Sequence, residues 1–99
     1  VTSRPVYSIG AVARMVEIPP ATLRTWEERY GLPVPERSPG GHRLYSRDQV
    51  DQLRFVKAQL DQGISPADAH RLLAERLAAG SLPFSEPEAG KTRLLILLA

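Results

Sequence analysis

Nine residues in the first half of the chain have types and spacing suited to gripping a polyanion. They are Thr22, Arg24, Thr25 and Arg29, then Arg37, Gly41, His42, Arg43 and Tyr45. Arginine offers a planar fork of donors that matches phosphate or guanine with two hydrogen bonds at once. The Gly40-Gly41 pair lets the backbone come close to a phosphate, because no Cβ stands in the way. His42, Arg43 and Tyr45 follow directly. All three can donate to phosphate oxygens, and Arg43 can reach into a minor groove. The chemistry these residues describe is recognition of double-stranded nucleic acid.

Other chemistries are poorly served. The absence of cysteine excludes disulfides, thiolate zinc sites, iron–sulfur clusters and cysteine nucleophiles. The two histidines, His42 and His70, are 28 positions apart and form no metal-ligand cluster. Ser8, Ser46 and Ser65 read as helix caps rather than nucleophiles. Glu27 and Glu28 are adjacent on a helix and diverge by about 100°, so they are no acid/base pair. Glu27 reads instead as a residue that orients an arginine or caps a backbone group. Gly40-Gly41 is too short a run for a nucleotide-binding loop. With no clustered nucleophile, base or metal set, an enzyme is disfavoured.

The elements that must position the cationic residues can be read from punctuation and periodicity. Ser8 caps a helix whose stripe is Ile9, Val12, Ala13 and Val16, broken by Pro19-Pro20 near Glu17. A second helix runs from about Pro20 to Arg29 or Tyr30, with Gly31 as its stop. Its apolar face holds Leu23 and Tyr30 with Trp26 beside them, and Thr22, Arg24, Thr25 and Arg29 look outward. Two short helices joined by a tight turn suggest a helix-turn-helix whose second helix fits a major groove about 12 Å wide. Three prolines forbid a helix over the next segment, and Pro39-Gly40-Gly41 predicts a hairpin turn between extended runs Val34–Arg37 and His42–Tyr45. Ser46 and Gln49 form a capping box for a third helix reaching about Gln62. Ser65 and Pro66 open a fourth helix, with Ala69, Leu72, Leu73 and Leu77 inward and an end near Gly80. The fold class is mostly α with a small β-hairpin.

The 99 residues hold one domain with room for a tail, and 42% of them are hydrophobic, enough for a small core. The net charge of +2 is uneven: residues 1–47 carry seven Arg against four Glu, and residues 48–99 carry six basic against seven acidic groups. No run is long enough to span a membrane and the N-terminus lacks a signal-peptide core, so the expected compartment is the cytoplasm. The organisation reads as a domain over 6–80, a Pro/Ser/Glu-rich linker over 81–90, and in 91–99 the opening of a second, sensing domain.

The segment Thr22–Ser46, TLRTWEERYGLPVPERSPGGHRLYS, closely resembles the DNA-binding domain of MerR-family transcriptional regulators. YSIGAVARMVEIPPATLR is similar to the family's opening helix-turn-helix, so the likeness covers about residues 6–78. It looks most like the branch that precedes cobalamin-binding domains in light-responsive repressors. The resemblance implies a winged helix-turn-helix with four helices and a two-stranded wing. It implies a bacterial regulator, acting as repressor or activator, bound as a homodimer to a palindromic operator. It places Thr22, Arg24, Thr25 and Arg29 on the major-groove helix, and Arg37, Gly41, His42, Arg43 and Tyr45 on the wing. Many members carry Tyr where this chain has Thr25. It implies no cofactor within these residues, with cobalamin or another effector held by the following domain.

The remaining residues read as structure. Trp26 and Tyr30 belong to the core, His70 to the surface of the fourth helix, and Arg54 and Lys57 to a solvated face. Phe55 lies off the third helix's stripe. That leaves a competing reading, a protein-interaction adaptor docking through Phe55 and the leucines of the fourth helix. A nearer rival is an excisionase-like recombination accessory protein on the same fold.

Overall fold

The computed structural model describes residues 4–80; the expected linker over 81–90 and the apolar stretch over 91–99 lie outside the described residues. The elements run β1 (Pro5–Ser8), α1 (Ile9–Val16), α2 (Pro20–Tyr30), β2 (Glu36–Arg37), β3 (Arg43–Ser46), α3 (Arg47–Asp61) and α4 (Pro66–Ala78). This is a winged helix-turn-helix.

The helix boundaries follow the sequence signals closely. Ser8 Oγ accepts from the Ala11 amide at 3.2 Å, and Ser65 Oγ accepts from the Asp68 amide at 3.2 Å. Ser46 and Gln49 form both halves of the expected capping box. All three hydroxyls therefore cap helices. Between α1 and α2 the chain reverses through Glu17, whose φ of 61° lies in the left-handed region. The Ile18 amide reaches back to the Ala13 carbonyl at 3.1 Å, which seals the end of α1 and turns Ile18 into the core.

The sheet departs from expectation in two ways. It has three antiparallel strands in the order β1-β3-β2, not two. β1 pairs Tyr7 with Tyr45 and Ser8 with Leu44. Four residues beginning at a proline carry no alternation strong enough to announce a strand, and β1 exists because β3 supplies its partner. The first wing strand is also shorter than Val34–Arg37, and the second lies one residue later than His42–Tyr45: the ladder pairs Glu36 with Leu44 and Arg37 with Arg43. Pro33 and Pro35 have no N–H to donate, so the ladder starts only after them.

The core gathers one side of every helix. Val12, Val16, Ile18, Leu23, Trp26, Tyr45, Val50, Leu53, Phe55, Val56, Ala69 and Leu73 are all buried. Phe55 is 7% exposed and the Arg76 guanidinium lies 5.0 Å from its ring centre. Phe55, off the main stripe of α3, thus sits on a second contact face of that helix, turned to α4 within the protein rather than left open for docking.

The β3–α3 junction ties the sheet to the helices. Gln49 accepts from the Ser46 amide at 3.0 Å through Oε1 and donates to the Val34 carbonyl at 2.8 Å through Nε2. One side chain thus closes the cap and pins the segment leading into the wing. Removing the cap hydroxyl by Ser46→Ala is expected to cost about 1 kcal/mol, as for other N-caps, with a lowered midpoint in urea unfolding.

Candidate nucleic-acid interface

The exposed side of α2 is set by which residues the core takes. Leu23 and Trp26 are buried, while Glu27 and Tyr30 are half-buried. At about 100° per residue, Arg24, Glu28, Ala21, Thr25 and Arg29 then follow one another round an open arc of about 140°. All five are exposed, and Thr22 is half-buried at the arc's edge. Thr25 Oγ1 donates back to the Ala21 carbonyl at 3.0 Å, so its hydroxyl proton is already used within the helix.

The wing lies along the edge of α2 that carries Glu27. At its tip, the Gly41 amide donates to the Ser38 carbonyl at 2.8 Å, closing a four-residue turn over Pro39-Gly40. The His42 amide donates to Ser38 Oγ at 3.2 Å. Gly41 has φ of 87°, a region costly for any residue with a Cβ. Gly41 and His42 are exposed at this tip.

At the wing's base the two strands converge on one carboxylate. Arg43 Nε donates to Glu27 Oε1 at 2.6 Å, with both side chains only 16% exposed. Arg37 Nη2 lies 3.6 Å from Glu27 Oε2, and its Nη1 donates to the Gly41 carbonyl at 3.2 Å. The hydrogen bond to Glu27 holds the Arg43 guanidinium above its ordinary pKa. Glu27 thus orients an arginine, one of the two roles the sequence suggested, and it engages a second as well.

Two wing residues expected to contact DNA are engaged by the protein itself. Arg43, expected to grip phosphate or enter a minor groove, donates through Nε to Glu27. Tyr45 is 1% exposed, and its ring belongs to the core at the foot of the wing. Burial pushes the Tyr45 phenol up, with the Glu27 charge acting in the same direction. Arg43, Arg24 and Arg37 oppose that rise, so the foot of the wing and the Arg24 edge of α2 share one electrostatic neighbourhood.

The opposite edge of α2 rests on a residue whose role the sequence did not reveal. His70, expected at the surface, is 4% exposed. Its ring stacks on Tyr30 with centroids 4.3 Å apart and meets the Trp26 ring edge-on at 4.9 Å. Nδ1 lies 2.8 Å from the Pro66 carbonyl. A carbonyl only accepts, so Nδ1 carries the proton in the neutral ring. Nε2 is buried without a hydrogen-bond partner. The inward face of α4 is rotated to take in His70, because two aromatic rings on α2 offer it a stacking surface. The signal was the neutral, flat character of His itself, which polarity scales overlook.

Comparison with known proteins places this geometry in a lineage. The sequence profile of the MerR HTH family regulatory proteins matches residues 7–76. The chain belongs to the MerR family. It is 42% identical over 69 residues to the HTH-type transcriptional regulator MlrA of Escherichia coli (strain K12), covering 70% of this chain and 28% of MlrA. It is 46% identical over 63 residues to the HTH-type transcriptional repressor CarA of Myxococcus xanthus, covering 62% of this chain and 22% of CarA. The chain therefore spans about a quarter of the length of these curated relatives. They are named as a transcriptional regulator and a repressor, not as enzymes. In fold it is similar to HiNmlR, a MerR family regulator lacking the sensor domain, solved bound to promoter DNA. The TM-score is 0.63 at 22% identity, over 73% of this chain and 55% of HiNmlR.

Burial lowers the His70 pKa below its ordinary value, against the Pro66 hydrogen bond, which raises it. The folded protein therefore favours the neutral ring. Its stabilising effect is complete above the unfolded imidazole value of about 6.5 and is lost as pH falls. Thermal unfolding should show a midpoint that drops between about pH 7.5 and 5.5, and His70→Phe should flatten that drop. An equal drop in the variant would assign the effect to other groups.

Proposed function

We propose that these residues form the DNA-binding head of a transcriptional regulator that recognises a specific double-stranded sequence. The observation that carries this reading is the open arc of α2, with Arg24, Thr25 and Arg29 exposed and a Gly-Gly-tipped wing alongside. α2 enters the major groove, and Arg24 and Arg29 reach base edges or flanking phosphates. Thr22 and Thr25 supply close, small contacts. The wing tip, with the Gly41 backbone, His42 and the half-exposed Arg37, lies on the neighbouring backbone. Family membership and the DNA-bound state of HiNmlR support the reading.

The whole protein acts as a homodimer on a palindromic operator, with residues 6–80 as each head and 81–90 as the linker. A sensing domain beginning near residue 91 holds an effector, cobalamin or another ligand, and changes the spacing of the two heads. The low share of each relative that the chain covers supports a second domain. Among the described residues no helix is long and apolar enough to cross a membrane. The adaptor reading loses its anchor, since Phe55 is covered by α4.

Fluorescence anisotropy tests the reading. The 99-residue chain and the full-length protein are each titrated into a labelled duplex from the gene's own promoter region and into a scrambled duplex, at two salt concentrations. Preference of the full-length protein for the promoter duplex is expected, and equal weak binding to both duplexes would refute sequence-specific recognition. Arg29→Ala and Arg24→Ala are each expected to weaken promoter binding about tenfold or more. A variant that lost affinity equally on both duplexes, with a salt slope shallower by about one, would mark its arginine as a phosphate contact.

A further inference from the structure

Glu27 poses an electrostatic puzzle that the proposed DNA reading sharpens. It is a carboxylate at the edge of the helix proposed to enter DNA, where phosphate repels it. It also occupies arginines on both wing strands, Arg43 at 2.6 Å and Arg37 at 3.6 Å. Two opposite roles are compatible with charge alone. As a brake, Glu27 would withhold two cations from phosphate. As a clamp, it would fix where the wing stands.

We propose that Glu27 is a positioning residue that sets the wing against the recognition helix, so that DNA binding requires this carboxylate despite its charge; the proposal rests on the DNA-binding reading above. Three observations favour the clamp. Glu27 and Arg43 are both mostly buried at the contact, so neither is arranged for release to a passing phosphate. The carboxylate engages the two wing strands through separate oxygens, Oε1 for β3 and Oε2 for β2, which fixes direction as well as distance. β2 is only two residues long and both are exposed, so burial of its own side chains cannot hold it in place. An isolated two-stranded ribbon is marginal in water, and the wing's order depends on what it leans on. Arg37 carries the clamp outward, because its second nitrogen holds the Gly41 carbonyl at the tip.

The clamp and the brake predict opposite signs for Glu27→Gln in the 99-residue chain, measured against a labelled duplex over a salt series. With a clamp, affinity falls about tenfold and the salt slope becomes shallower by about one, because wing phosphate contacts are lost. With a brake, affinity rises and the slope steepens, and that result overturns the proposal, as does no change in either. The double variant Glu27→Gln/Arg43→Gln should bind no worse than Glu27→Gln alone, since Arg43→Gln then removes a contact already lost; additive losses would mean that Arg43 grips phosphate by itself. Circular dichroism establishes that each variant is folded. Should Glu27→Gln not fold, Arg43→Lys decides, since it keeps the charge and loses the Nε geometry: weakened binding supports the clamp, and unchanged binding refutes it.

Amide hydrogen exchange separates this proposal from the DNA reading. Faster exchange confined to the wing ladder, Glu36–Arg37 and Arg43–Leu44, is expected in Glu27→Gln whether or not DNA binds. Unchanged wing exchange would overturn the clamp alone. Failure of wild-type protein to bind any duplex would overturn the DNA reading alone.

Discussion

The Glu27 carboxylate is the constraint on which the interface depends. A winged helix-turn-helix presents two surfaces, a helix and a hairpin, that share no continuous backbone ladder. Something must convert two separately formed pieces into one rigid shape. Here a single side chain on α2 receives arginines from both wing strands. Partial burial strengthens such a pair by lowering the local dielectric, and it makes the loss of either partner costly. Arg43 is bound to the protein rather than displayed to solvent, which explains why a cationic wing residue contributes to shape more than to open charge.

The other edge of α2 is held by different physics. His70, Tyr30 and Trp26 form a stacked and edge-on aromatic cluster that joins α4 to α2. Ring contacts of this kind are orientationally specific but only modest in strength. The recognition helix therefore sits between an ionic contact on one side and an aromatic contact on the other, with its open arc between them. The buried, unpartnered Nε2 of His70 makes that aromatic contact sensitive to acid.

Much of the architecture was legible because it rests on local rules. Ser8, Ser46 and Ser65 cap helices through bonds to amides three residues away, a relation contained in a few consecutive residues. Pro19-Pro20 and Gly31 delimit α2 for equally local reasons. The exposed identities of Arg24, Thr25 and Arg29 followed from helical period once Leu23 and Trp26 were assigned to the core. The positions that escaped are those whose state depends on distant residues. β1 is a strand only because β3 lies beside it, 38 positions later at the Tyr7–Tyr45 pair. His70 is buried only because α2 offers two rings, and Arg43 turns inward only because Glu27 lies opposite it.

The sequence by itself determined the helices, their caps, the turn at Gly40-Gly41, the cationic first half and membership of the family. These depend on spacing, backbone preference and composition, which need no knowledge of what packs where. Tertiary structure alone decided which cations remain available to a ligand. Arg24 and Arg29 stay on the open arc, while Arg43 is drawn onto Glu27 at the foot of the wing. The physical reason is that availability of a charge is set by its nearest opposite charge and by solvent access. Both are fixed only when chain segments far apart in sequence come together.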